Sequence, residues 1–105
     1  MKETFTLALQ NHQKNNLQVA EDFYKKILKI NPNHFESIFL LGTLLAETKK
    51  FVEAKQMLIK AVQIKPNHAL AHNNLGITFK ELGKHQEALA CYKNAILADP
   101  NHTLA

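Results

Sequence analysis

Arginine and tryptophan are absent from this chain of 105 residues, and cysteine occurs once, as Cys91. A lone cysteine closes no internal disulfide, which fits a reducing compartment, and the expected location is the cytoplasm. All 13 basic residues are lysine. The planar guanidinium fork that reads guanine and clamps phosphate is therefore missing, so nucleic acid is not an expected partner despite a net charge of +4. Glycine and proline occur three times each, too few for an architecture built on β-turns. No apolar run approaches the roughly 18 residues that cross a bilayer. Residues 1–6 lack the apolar core of a secretory signal. Neither a membrane nor export is expected.

What is present is 46% hydrophobic and 21% charged residues, the balance of a folded soluble domain. The length suits one domain, 1–105, whose core can form without disulfide or metal. Within it the tetrapeptide Asn31-Pro32-Asn33-His34 returns as Lys65-Pro66-Asn67-His68 and as Asp99-Pro100-Asn101-His102, each copy 34 residues after the last. Cutting after each histidine gives units 1–34, 35–68 and 69–102, with 103–105 opening a fourth. Leu7, Leu41 and Leu75 keep this register, as do the small residues Ala8, Gly42 and Gly76. Ala20, Ala54 and Ala88 keep it too, and so do the larger Tyr24, Leu58 and Tyr92.

Each unit has the pattern of two helices. Ile38, Leu41 and Leu45 fall on one helical face, and after a break at Lys49-Lys50 so do Ala54, Leu58, Ala61 and Val62. Leu75 and Phe79, a Gly83-Lys84 turn, then Ala88, Tyr92, Ala95 and Ile96 repeat the arrangement. Pro32, Pro66 and Pro100 force the residue before each out of helical geometry and should end the second helices. The asparagine after each proline is the expected cap of the next helix. Asn33 with Glu36 has the spacing of a capping box, and His34 and His102 read as solvated helix-start residues. Glycine inside a helix costs about 1 kcal/mol relative to alanine. Gly42 and Gly76 should therefore mark close crossings, with Ala54 and Ala88 as the expected partners.

The period, the helix pair and the pattern Leu75-Gly76, Phe79, Ala88, Tyr92, Ala95, Pro100 resemble the tetratricopeptide repeat family over residues 1–102. The second unit matches at Leu41, Gly42, Leu45, Ala54, Leu58, Ala61 and Pro66. The first departs at Asn11, where the family prefers an aromatic, and at Ile27, where it prefers alanine. Thr4, Ile38 and His72 stand where a tryptophan is usual. The resemblance implies an all-α fold, a right-handed superhelical array of three antiparallel helix pairs. Stacking of the pairs would make one continuous core, with the first helices lining a concave groove. The implied groove residues are Phe5, Thr6, Leu9, His12 and Gln13 in the first unit. They are Phe39, Leu40, Thr43, Ala46 and Glu47 in the second, and Leu70, Asn73, Asn74, Ile77, Lys80 and Glu81 in the third.

Phe5, Leu9, Phe39, Leu40 and Ile77 admit two readings: packing between neighbouring helices, or an apolar wall for a peptide. Asn73-Asn74-Leu75-Gly76 also resembles the repeats of peptide O-GlcNAc transferases. There an asparagine one residue before Leu-Gly bonds peptide backbone. Only Asn74 fits that role, since Thr6 and Leu40 occupy the matching positions. Phe5, Leu9, Leu40 and Leu70 stand where the carboxylate clamp of chaperone-binding relatives needs polar residues, which argues against an acidic C-terminal guest.

Catalytic constellations are missing. His68 and His72 share a helix face at i,i+4, but no neighbouring cysteine or carboxylate completes a metal site. Gly83-Lys84-His85 lacks the rest of a phosphate loop. Cys91 and His85 fall on different helix faces, and Cys91 is expected to be buried. Lys25, Lys26, Lys29, Lys60 and Lys93 read as a solvated convex back. No metal and no cofactor are expected. The expected function is a non-catalytic scaffold whose partner is a peptide or protein segment held in the groove. The alternatives are a recruitment arm of a larger, glycosyltransferase-like enzyme and a self-assembly module. Without a polar closing helix, Leu89, Ile96 and Leu97 should leave the last helix open to self-association, and the start of a fourth unit is the expectation for a fragment of a longer array.

Overall fold

The computed structural model describes residues 2–99. The third copy of the repeated loop (Pro100, Asn101, His102) and the start of a fourth unit (Thr103, Leu104, Ala105) lie outside the described residues. The described chain forms six helices: α1 (Lys2–Gln13), α2 (Leu17–Ile30), α3 (Phe35–Glu47), α4 (Phe51–Ile64), α5 (Ala69–Glu81) and α6 (His85–Ala98). They make an all-α solenoid of three helix pairs. Each helix packs chiefly against its neighbours in the chain, and α3 also meets α5. The second helices end one residue before Asn31, Lys65 and Asp99, the residues that precede the prolines.

Within each pair the turn is the same. The chain passes through a left-handed residue at Asn15, Lys49 and Gly83, with φ of 65°, 65° and 78°. The residue after it, Asn16, Lys50 or Lys84, donates its N–H to the carbonyl of Asn11, Leu45 or Phe79. This is a Schellman closure of the first helix.

Burial follows position in the stack. The middle helix α3 is covered from both sides and buries Phe35, Ser37, Ile38, Leu41, Leu44 and Leu45. The outermost helix α1 buries only Ala8. Leu7 keeps the repeat register of Leu41 and Leu75, but it is 43% exposed, since among the described residues no helix pair packs on its outer side. The small positions in the second helices, Ala20, Ala54 and Ala88, are buried. Cys91 is also buried, against Leu58 and Leu75, and burial pushes its thiol pKa up, with the Glu87 carboxylate adding to the shift.

Gly42 and Gly76 do mark close crossings, but against larger residues than Ala54 and Ala88. A Cβ on Gly42 would come within 2.9 Å of Leu58 Cγ, and one on Gly76 within 2.7 Å of Tyr92 Cε1. The bulky residue of the second helix lies over the glycine, so the glycine makes room for a ring or a branched chain.

The helix starts correct a second expectation. The cap of α3 is His34, whose Nδ1 accepts the Ser37 backbone N–H at 3.2 Å. The cap of α5 is His68, whose Nδ1 accepts from Ala71 at 3.1 Å. Asn33 instead donates its backbone N–H to the Asn31 side chain. His34 is not simply solvated: its ring meets Phe5 edge-on at 5.2 Å. His68 sits on both Phe35 and Phe39, at 4.9 and 5.0 Å. Each histidine thus starts one unit while resting on phenylalanine from the unit before, and so fixes the joint between them.

Candidate functional site

The first helices α3 and α5 bring a cluster together on their shared open side. Thr43, Ala46 and Glu47 from α3 and Asn74 and Ile77 from α5 line a pocket of about 260 Å³. Its walls are mostly apolar, and Ile77 is 44% exposed there. A larger hollow of about 610 Å³ runs along the flank of α1 and is lined by that helix alone. Sites normally draw convergent groups from several elements, which singles out the smaller one.

Two hydrogen-bond chains set the polar side of this pocket. Thr43 donates its hydroxyl to the Phe39 carbonyl at 2.9 Å. Its oxygen accepts Nδ2–H of Asn74 at 3.1 Å. Because the threonine proton is committed, the asparagine must present its amide nitrogen to Thr43 and its carbonyl oxygen away from it. In the second chain, His12 lies 2.8 Å from Glu47 Oε1 through Nε2 and 3.0 Å from the Tyr24 hydroxyl through Nδ1. Tyr24 is fully buried. Burial, with the nearby Glu47 charge, pushes its pKa up to about 12, so the hydroxyl keeps its proton. His12 thereby ties α1, α2 and α3 together at the edge of the pocket.

The other expected groove residues take different places. Phe5, packed against Tyr24 and His34, belongs to the joint between the first and second units. Phe39 stacks on Phe35 with rings 2° from parallel and lies against His68, so it serves the second joint. Leu40 packs against the first core cluster, and Leu9 is half-buried on α1. Leu70 lines a separate hollow with Ala98 at the far end of α5. Asn73 is half-buried, and Lys80 is exposed one turn beyond Ile77. The first-helix face therefore holds Thr43, Asn74 and Ile77 in one pocket, with His12 at its rim. It spends its phenylalanines on holding the units together.

The second helix α2 carries its own polar anchor, which the sequence pattern did not reveal. Glu21 is buried on α2, paired with Lys25 at 2.7 Å and with Lys50 at 3.5 Å. The Lys25 hydrogen bond holds its carboxyl below the usual range despite burial. His72 is buried as well and donates Nε2–H to the Pro66 carbonyl at 2.6 Å. Among the described residues, no three His, Cys, Asp or Glu side chains gather as a metal ligand set. No described helix is long and apolar enough to cross a membrane.

Comparison with known proteins agrees with this architecture. Tetratricopeptide repeat families match at residues 12–76 and 69–102. No curated protein matches the sequence. Among solved structures, MamA AMB-1 superposes with a TM-score of 0.87 at 28% identity, over 92% of this chain and 53% of that one. MamA MSR-1 gives 0.87 at 28%, over 96% and 58%. A MamA RS-1 double mutant gives 0.91 at 23% identity, over 94% and 56%, and shows likeness of fold alone. The chain spans about half the length of the MamA structures it matches.

Proposed function

The chain belongs to the tetratricopeptide repeat family, and on that premise we propose that it is a non-catalytic scaffold holding a peptide or protein segment against its first helices. The working unit is residues 1–105 as one domain, with repeats 1–34, 35–68 and 69–102 and the start of another at 103–105. The face includes Phe5, Leu9, His12, Phe39, Leu40, Thr43, Leu70, Asn73, Asn74, Ile77 and Lys80. The observation that carries the reading is the pocket between α3 and α5, where the exposed Ile77 and the Asn74 carbonyl of one unit stand beside Thr43, Ala46 and Glu47 of the unit before. Apolar surface beside a few fixed polar groups is the usual composition of a recognition site. Asn74 is the residue suited to bond a guest backbone, as in the repeats of peptide O-GlcNAc transferases. The test is a peptide-library pull-down comparing the wild type with Asn74→Ala and Ile77→Ala. Each variant should lose most recovery while melting normally. Equal recovery by all three would place the binding surface elsewhere.

A second reading, self-association, rests on the last helix. Leu28 and Val62 pack against the core between units, but the equivalent Ile96 is 45% exposed beside Leu89 and Leu97. A second copy would cover this surface, and light scattering over a concentration series would detect it.

A further inference from the structure

We infer that the pocket between α3 and α5 takes the side chain of a lysine or arginine from the bound segment; the inference rests on the scaffold reading and names the chemistry of the guest. Ala46 and Ile77 supply apolar walls, and Thr43, Glu47 and Asn74 complete the lining. Thr43 is spent on both sides, donating to Phe39 and accepting from Asn74. Asn74 retains its carbonyl oxygen. Glu47 accepts from His12 through Oε1 only. Among the described residues, no lysine lies within ion-pair distance of Glu47.

His12 engages one oxygen of the Glu47 carboxylate and leaves the other. Tyr24 keeps its proton and can donate it to His12 Nδ1, and Nε2–H is then the donor to Glu47. The contact fixes the orientation of the carboxylate and leaves Oε2 open. The open functions offered by Glu47 and Asn74 are thus acceptors, one of them anionic, beside an apolar channel.

The guest that satisfies both features has a long aliphatic stem and a cationic donor at its tip. Lysine and arginine bury their methylene stems along apolar surface while the head reaches polar partners. Hydrogen bonds to an ionised acceptor are stronger than neutral ones. A carboxylate guest would face Glu47 and be repelled. A purely apolar guest would fill the channel but leave the acceptors without partners.

The test uses the whole chain and three degenerate nine-residue peptide pools that differ only in a fixed central residue: lysine, norleucine or glutamate. Fluorescence anisotropy should show the lysine pool binding about tenfold more tightly than the norleucine pool at low salt, with the advantage shrinking as salt screens the pair. The glutamate pool should bind most weakly. Glu47→Gln keeps an acceptor for His12 and removes the charge. It should abolish the lysine advantage, bringing the lysine pool to the affinity of the norleucine pool. Equal binding of the lysine and norleucine pools, or a lysine advantage that survives Glu47→Gln, would overturn the inference while leaving the scaffold reading intact. Binding of no pool to the wild type would overturn both.

Discussion

Replacing His68 by alanine tests how the units are held together. The imidazole does two jobs at once. Its Nδ1 accepts the Ala71 N–H at 3.1 Å and starts α5. Its ring lies 4.9 Å from Phe35 and 5.0 Å from Phe39. Losing a helix cap costs about 1 kcal/mol, and losing two ring contacts costs roughly 0.5–1.5 kcal/mol each. His68→Ala should therefore destabilise the fold by about 2–4 kcal/mol. At the roughly 4–8 °C per kcal/mol expected for a domain near this size, its Tm should fall by at least ~8 °C. His68→Asn restores a good capping side chain but no ring, and should recover about 1 kcal/mol.

The same site gives a pH dependence. Burial above all, then the Lys65 and His72 charges, hold the His68 pKa below 6.5. A proton on Nδ1 would also remove the acceptor that caps α5. The unfolded chain takes up that proton near its ordinary value of about 6.5, so it binds more protons than the folded chain just below that pH. The contribution is fully present above about pH 6.5 and is lost as pH falls through the lower folded-state value. Circular dichroism melts at neutral and mildly acidic pH would follow it. His68→Asn should flatten the decline. A His68→Ala protein that melts within ~2 °C of the wild type, well under 1 kcal/mol, would refute the two-sided role assigned to this ring.

Gly76→Leu should be destabilising by up to about 2 kcal/mol net, because even a Cβ would stand 2.7 Å from Tyr92 Cε1. Overpacking of this kind costs about 1–3 kcal/mol, against a helix-propensity gain of about 1 kcal/mol. An unchanged denaturant midpoint would remove the close-crossing explanation. If the last helix mediates self-association, Ile96→Glu should return the protein to a concentration-independent monomer in light scattering. A wild type that is already monomeric at all concentrations would dismiss that reading.

The helical plan was legible because it is written in spacing. A 34-residue period, small residues in register and prolines behind each second helix carry helix boundaries without any knowledge of contacts. Who meets whom was not legible. Ala54 and Ala88 share the stripe of Leu58 and Tyr92, and periodicity alone cannot say which of them faces a glycine. His34 and His68 were hidden behind the stronger statistical preference for asparagine as a cap. A ring nitrogen takes that position here because the ring also finds phenylalanine from the unit before. The groove shows the same limit. Phe5 and Phe39 occupy first-helix faces by register, but those faces are partly consumed where one unit meets the next. Glu47 and Asn74 become neighbours only once α3 and α5 lie side by side.

The left-handed turns at Asn15, Lys49 and Gly83 act as a filter on heritable variation. Only the third copy has the residue that adopts this conformation freely, Gly83, and Lys49 in the second copy accepts a penalty of roughly 1–2 kcal/mol. Glycine and asparagine can spread into these three sites. Valine, isoleucine and threonine are barred from them, however polar or exposed the surroundings.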